Sequence, residues 1–166
     1  MAIYRSGTAG NTAVRPGGAN SRVSPRAKEH AVPETPREIF ERYVWAGAMT
    51  RNAAALAELF TVDGVIEAPL VPAGHTYPRR LEGREEIREA MAAHYRRPVR
   101  TDRTLNAAGT RYALHTTTDP DVFVAEIDTA FDGSAGPTTV SLVQIFRLRD
   151  GKIALLRDYF APEEVD

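Results

Sequence analysis

Cysteine is absent from the 166 residues of this chain. That excludes a disulfide framework, a thiolate metal site and a thiol nucleophile, and it suits a reducing compartment, so a cytoplasmic location is expected. Long apolar runs are missing too, which argues against a membrane span or membrane partner. Charge of one sign is scarce: 21 Lys and Arg stand against 22 Asp and Glu, a net of −1. A nucleic-acid partner is therefore not expected. No grouping of His and carboxylates has metal-ligand spacing, and neither a nucleophile elbow, a phosphate loop nor a dinucleotide fingerprint occurs. The chain is expected to use neither a metal nor a cofactor.

What remains is an ordinary globular composition, 43% hydrophobic and 26% charged, in a length that suits one domain with a sizeable core. Its charge is uneven. Residues 1–33 hold Arg5, Arg15, Arg22, Arg26 and Lys28 against Glu29, a net of +4, which leaves −5 for residues 34–166. The first segment is rich in Gly, Ser, Asn and Pro with little apolar periodicity, so it reads as a flexible basic arm. It is also acid-poor like an organelle transit segment, but it lacks the apolar stretch of a secretory signal.

The domain begins at Thr35-Pro36-Arg37-Glu38, a capping box with Pro at the first helical position. Ile39, Phe40, Tyr43, Val44 and Gly47 line one side of a helix predicted to about Ala48. Asn52 caps a second helix to Phe60. A short strand, Val65 to Ala68, ends at Pro69. A Pro-rich loop over 69–81 carries His75 and Tyr77. Gly83 opens a third helix, with Glu85 and Glu86 in its first turn and Arg96 and Arg97 at its end, as the helix dipole favours. Ile87, Ala90, Met91 and His94 share its inner face. Candidate strands follow at roughly 101–117, 122–131, 138–149 and 152–160. Asp150-Gly151 marks a tight hairpin between the last two. Helices followed by antiparallel strands predict an α+β fold. Three helices under a curved sheet would enclose an apolar cavity suited to a small molecule.

Alternation along the last strand puts Leu156, Asp158 and Phe160 on one face. Asp158 in such a setting would be desolvated, with a raised pKa and acid/base use near neutral pH. Gln144 lies between Leu142 and Phe146 on one strand face, where a buried amide needs partners.

The helix-opening Leu81-Glu82-Gly83-Arg84-Glu85, the ending Arg157-Asp158-Tyr159-Phe160-Ala161-Pro162 and the element spacing over about 36–162 together resemble the SnoaL-like branch of the nuclear transport factor 2-like superfamily. The resemblance implies a cone-shaped curved antiparallel sheet over three helices. It also implies a homodimer and cofactor-independent chemistry on a hydrophobic, oxygenated small molecule: a cyclase, isomerase or dehydratase of secondary metabolism. A non-catalytic binding or scaffold module and an epoxide hydrolase are the alternatives.

In the ketosteroid isomerase branch an oxyanion-donating Tyr stands where Arg42-Tyr43-Val44 places Tyr43. A second donor, an acid, stands where this chain has Gln144. The general base, an Asp before Pro, is replaced by Ala68, and the adjacent Glu67 should point to the opposite face. Phenazine-biosynthesis members have an acid at the place of Asp158 and a His on the third helix, where this chain has Ala90 with His94 one turn later. The expected catalytic set is Asp158, Tyr43, Gln144, His75 and His94. The expected ligand contacts are Tyr77, Asp128, Phe146, Met91 and Trp45. The Asp–Arg–Asp network of epoxide hydrolases would need Asp128, Arg157 and Asp158, though Arg157 should face away from Asp158.

Overall fold

The computed structural model describes residues 34–98 and 101–164. The basic arm lies outside the described residues, which belong to one compact unit, Val32–Asp166. Three helices pack against a curved, unclosed mixed sheet.

Helix α1 runs Pro36–Val44 and opens on the expected capping box, with Thr35 Oγ1 accepting from the Glu38 amide and Glu38 Oε2 accepting from the Thr35 amide at 2.7 Å. It passes into a π-helical turn over Trp45–Met49, in which the Thr50 amide reaches back five residues to the Trp45 carbonyl. Helix α2, Ala53–Ala57, is capped by Asn52 Oδ1 on the Ala55 amide at 3.0 Å. It stops short of the predicted Phe60, which instead begins strand β1, Phe60–Glu67. Long-range pairing outweighs local helix preference here, because Phe60 pairs with Ile153 and the Leu59 carbonyl accepts from the Ile153 amide. Gly64 permits this irregular start. A Cβ there would lie 2.9 Å from the Phe60 Cβ and 3.1 Å from the Ile153 carbonyl oxygen.

Strand β2, Arg80–Glu82, emerges at the end of the Pro-rich loop and leads into helix α3, Arg84–Tyr95. The long predicted strand over 101–117 is two strands, β3 (Arg103–Leu105) and β4 (Arg111–Thr116). Asn106 separates them: its Oδ1 accepts from the Gly109 amide and its carbonyl from the Thr110 amide. Strands β5 (Val122–Gly133), β6 (Gly136–Arg149) and β7 (Lys152–Tyr159) complete the meander.

The sheet order is β2-β1-β7-β6-β5-β3, with β4 also on β5. One pairing departs from the expected antiparallel sheet: β1 runs parallel to β7. The other strands all intervene between them in sequence, so no hairpin forces them to oppose.

The core lies between the inner sheet face and the helices. Phe123 and Phe146 sit opposite one another on β5 and β6 and stack at 4.6 Å, while Phe40 from α1 meets Phe146 edge-on. All three are buried, as are Leu56, Ile87, Ile153 and Leu156. Among the described residues no helix is long and apolar enough to cross a membrane. Truncating Phe123 removes a ring from this stack, and no polar partner compensates. Phe123→Ala is expected to destabilise the domain by about 3–5 kcal/mol, read as a lower urea midpoint at unchanged slope.

Candidate active site

Asp158 on β7 and Gln144 on β6 are direct cross-strand partners on the inner face. Both are buried, at 8% and 5% exposure. The Gln144 amide nitrogen donates to Asp158 Oδ2 at 3.0 Å and to the Tyr43 hydroxyl at 3.4 Å. Tyr43 arrives from the end of α1, so two strands and one helix bring the three groups together.

Both N–H groups of Gln144 are thus turned toward neighbours, Asp158 and Tyr43. Its free chemistry is the carbonyl. Gln144 Oε1 and Asp158 Oδ1 are both buried without a hydrogen-bond partner. Because the Tyr43 oxygen accepts from Gln144, its own proton stays available. The site thus offers two unused acceptors and one phenolic donor.

Burial pushes the Asp158 carboxyl up to about 7, and the Gln144 hydrogen bond opposes that rise only in part. Desolvation, then the nearby Asp158, hold Tyr43 well above the usual phenol range, so it stays protonated. Tyr77 is raised for the same two reasons in the same order. Its ring stands edge-on to Phe160 at 5.3 Å and to His94 at 5.5 Å, walling the site from the loop side. Tyr43 meets Phe146 edge-on at 5.4 Å. Met91 is buried in the same core as Phe146.

His94 is half-buried, and burial followed by Arg97 and Arg51 lowers its pKa, so it is neutral at physiological pH. It supports Tyr77. His75 shapes the loop, its Nδ1 accepting from the Tyr77 amide at 3.0 Å. Ala68 is buried with Val71 and Phe160 in a small cluster that Tyr77 and Leu142 flank, so a methyl stands where the isomerase base would be.

Two expected ligand contacts are not in this cluster. Trp45 is 64% exposed, at the start of the π-helical turn. Asp128 is held by Arg111 at 3.3 Å and Ser141 at 2.7 Å, with its side chain 39% exposed. Its alternation with the buried Phe123 and Ala125 puts it on the outer face. Arg157 also faces outward, its Nε donating to Glu67 Oε2 at 2.8 Å. Asp128, Arg157 and Asp158 therefore form no epoxide-hydrolase network.

One residue escaped the sequence reading. Tyr95 closes α3 on the face of Ile87 and Met91 and is near enough to Tyr43 and Tyr77 to raise the pKa of each. Gly47 makes room for it, since a Cβ there would lie 3.3 Å from the Tyr95 hydroxyl. Arg51 fixes it by donating to the Tyr95 carbonyl at 2.7 Å. The spacing 87, 91, 95 was the available signal.

Comparison with known proteins agrees with this architecture. A family profile described as SnoaL-like domain matches residues 40–156, and the chain belongs to that family. It is 33% identical over 113 residues to an uncharacterized PhzA/B-like protein of Pseudomonas aeruginosa, covering 67% of this chain and 74% of the other. Two solved structures share the fold at 21% identity. One is a putative isomerase from Bacillus subtilis, with a TM-score of 0.59 over 76% of this chain and 86% of that one. The other is a phenazine biosynthesis-related protein from Pseudomonas aeruginosa, with a TM-score of 0.54 over 75% and 78%.

The raised Asp158 pKa has a consequence for stability. Folding favours the protonated acid between its unfolded value, about 3.9, and its folded value near 7. Its stabilising contribution is complete below about pH 4 and is lost as pH rises to about 7. Asp158→Asn is therefore expected to gain on the wild type across that window, by at most about 4 kcal/mol. Melting temperatures of both proteins from pH 4 to 8 check this; a constant difference would show an ordinary carboxylate.

Proposed function

We propose that this protein is a cofactor-independent acid/base enzyme acting on a hydrophobic, oxygenated small molecule, as a cyclase, isomerase or dehydratase. The observation that carries the reading is the pair of unpartnered buried oxygens, Asp158 Oδ1 and Gln144 Oε1, beside a phenol with a spare proton. Leaving such groups unpaired costs roughly 1–3 kcal/mol each, which a bound ligand would recover.

Asp158 is the proton carrier. Near neutral pH it is present in both forms, so it takes a proton from a carbon next to a carbonyl, or gives one to a departing oxygen. Tyr43 stabilises the developing oxyanion with its free O–H. Gln144 Oε1 accepts from a substrate hydroxyl, and the rings of Phe146, Phe160 and Tyr77 take the apolar body. His94 and His75 act through Tyr77, the first by packing and the second by setting its loop.

The second reading, a binding module, is favoured by Ala68 and Gln144, which stand where the isomerase branch has its two acids. A panel of hydrophobic ketones, hydroxyketones and phenols, scored first by thermal shift and then for product by mass spectrometry, separates the two. Asp158→Asn should still be stabilised by the active compound yet lose turnover. Tyr43→Phe should reduce kcat by about a hundredfold or more. Binding without product in the wild type would leave the binding module standing, and undiminished turnover in Asp158→Asn would overturn Asp158 as the proton carrier. The pH profile assigns the direction: kcat rising through about pH 7 marks Asp158 as base, and kcat falling marks it as acid.

A further inference from the structure

The opposite face of the sheet at β7 carries a concave feature. A cleft of about 470 Å³ is lined by Glu67, Pro69, Arg79, Arg80, Arg157 and Tyr159. Arg79 occupies a bend immediately before β2, which lets it and its neighbour Arg80 line one cleft although an extended chain would send them apart.

Charge in the cleft is unbalanced. Glu67 accepts from Arg80 through one oxygen and from Arg157 through the other, the latter at 2.8 Å. Arg80 also reaches Glu82 at 3.1 Å on the rim. Two carboxylates therefore face three guanidiniums, and Arg79 has no acidic partner among the described residues. Glu67 itself is fully engaged, with its side chain only 22% exposed. It holds Arg80 and Arg157 in place in the cleft wall, so their guanidiniums need little reordering to meet an anion. Guanidinium forks match the paired oxygens of a carboxylate or phosphate. Pro69 and the Tyr159 ring supply an apolar floor.

We propose that this outer cleft is a binding site for a small organic oxyanion, a carboxylate or phosphate monoester carried on a short flat apolar body, with Arg79 as its principal contact. The site is separate from the inner acid: Arg157 and Asp158 are consecutive, and their side chains leave β7 on opposite faces. The proposal is independent of the inner site's chemistry.

The test is calorimetric titration of the full chain with benzoate, phenyl phosphate and benzyl alcohol. Saturable binding of either oxyanion is expected in the millimolar range or tighter, weakening as salt is raised, and benzyl alcohol should not displace the bound anion. Which oxyanion binds more tightly identifies the headgroup. Arg79→Ala removes an exposed, unpaired side chain and should weaken binding at least about tenfold. Arg79→Glu should abolish it, and Asp158→Asn should leave it unchanged. The proposal falls if neither oxyanion saturates by roughly 10 mM, if benzyl alcohol displaces the bound anion, or if Arg79→Glu has no effect. It falls equally if Asp158→Asn changes the affinity, which would place the anion at the inner face.

Discussion

The hydrogen bond between Gln144 and Asp158 is the constraint on which the inner face turns. A carboxyl among Phe146, Leu156 and Phe160 would ordinarily be unfavourable in its charged form. The amide across the ladder offers one donor, enough to fix the side chain but not enough to return its pKa to the ordinary range. Its second N–H fixes Tyr43. A single side chain thereby sets the spacing between acid and phenol, and it does so from the central strands of the sheet. Glutamine can do this only by committing both of its protons, which is why its carbonyl is left bare.

Much of this arrangement was legible in the sequence. Strict alternation along β7 and β6 places Asp158 and Gln144 on the apolar face, and the capping boundary at Thr35 sets the rotation of α1 that turns Tyr43 inward. The same rule placed Arg157 and Glu67 outward, as observed. Other features depend on contacts distant in sequence. The parallel pairing of β1 with β7, and with it the early end of α2, is decided by Ile153, nearly a hundred residues away. Trp45 lies two residues past Tyr43, on the far side of a helical turn, so helical geometry argued for solvent despite its aromatic character. Asp128 shares its face with Glu126, and that polar pair was the available sign of an outer surface. Tyr95 was missed because it ends its helix, where periodicity has no following turn to confirm it.

The two faces of the sheet set carboxylates in opposite surroundings, Asp158 of β7 inside and Glu67 of the neighbouring β1 outside. Inside, the Asp158 carboxyl has a single donor and is pushed up to about 7 by burial. Outside, Glu67 is surrounded by donors, and it serves as a fixed counter-ion that organises arginines. The difference lies in what surrounds each carboxylate: apolar side chains and one amide inside, two guanidiniums outside.

Position 68 carries a further implication, for descent. The parallel register that sets Glu67 beside Arg157 would, one residue on, set Ala68 beside Asp158. Alanine and aspartate codons differ by a single base. One point mutation would put a second carboxyl next to the first, where the two would titrate as a pair sharing one proton. One-acid and two-acid inner faces are thus a single base apart in this scaffold.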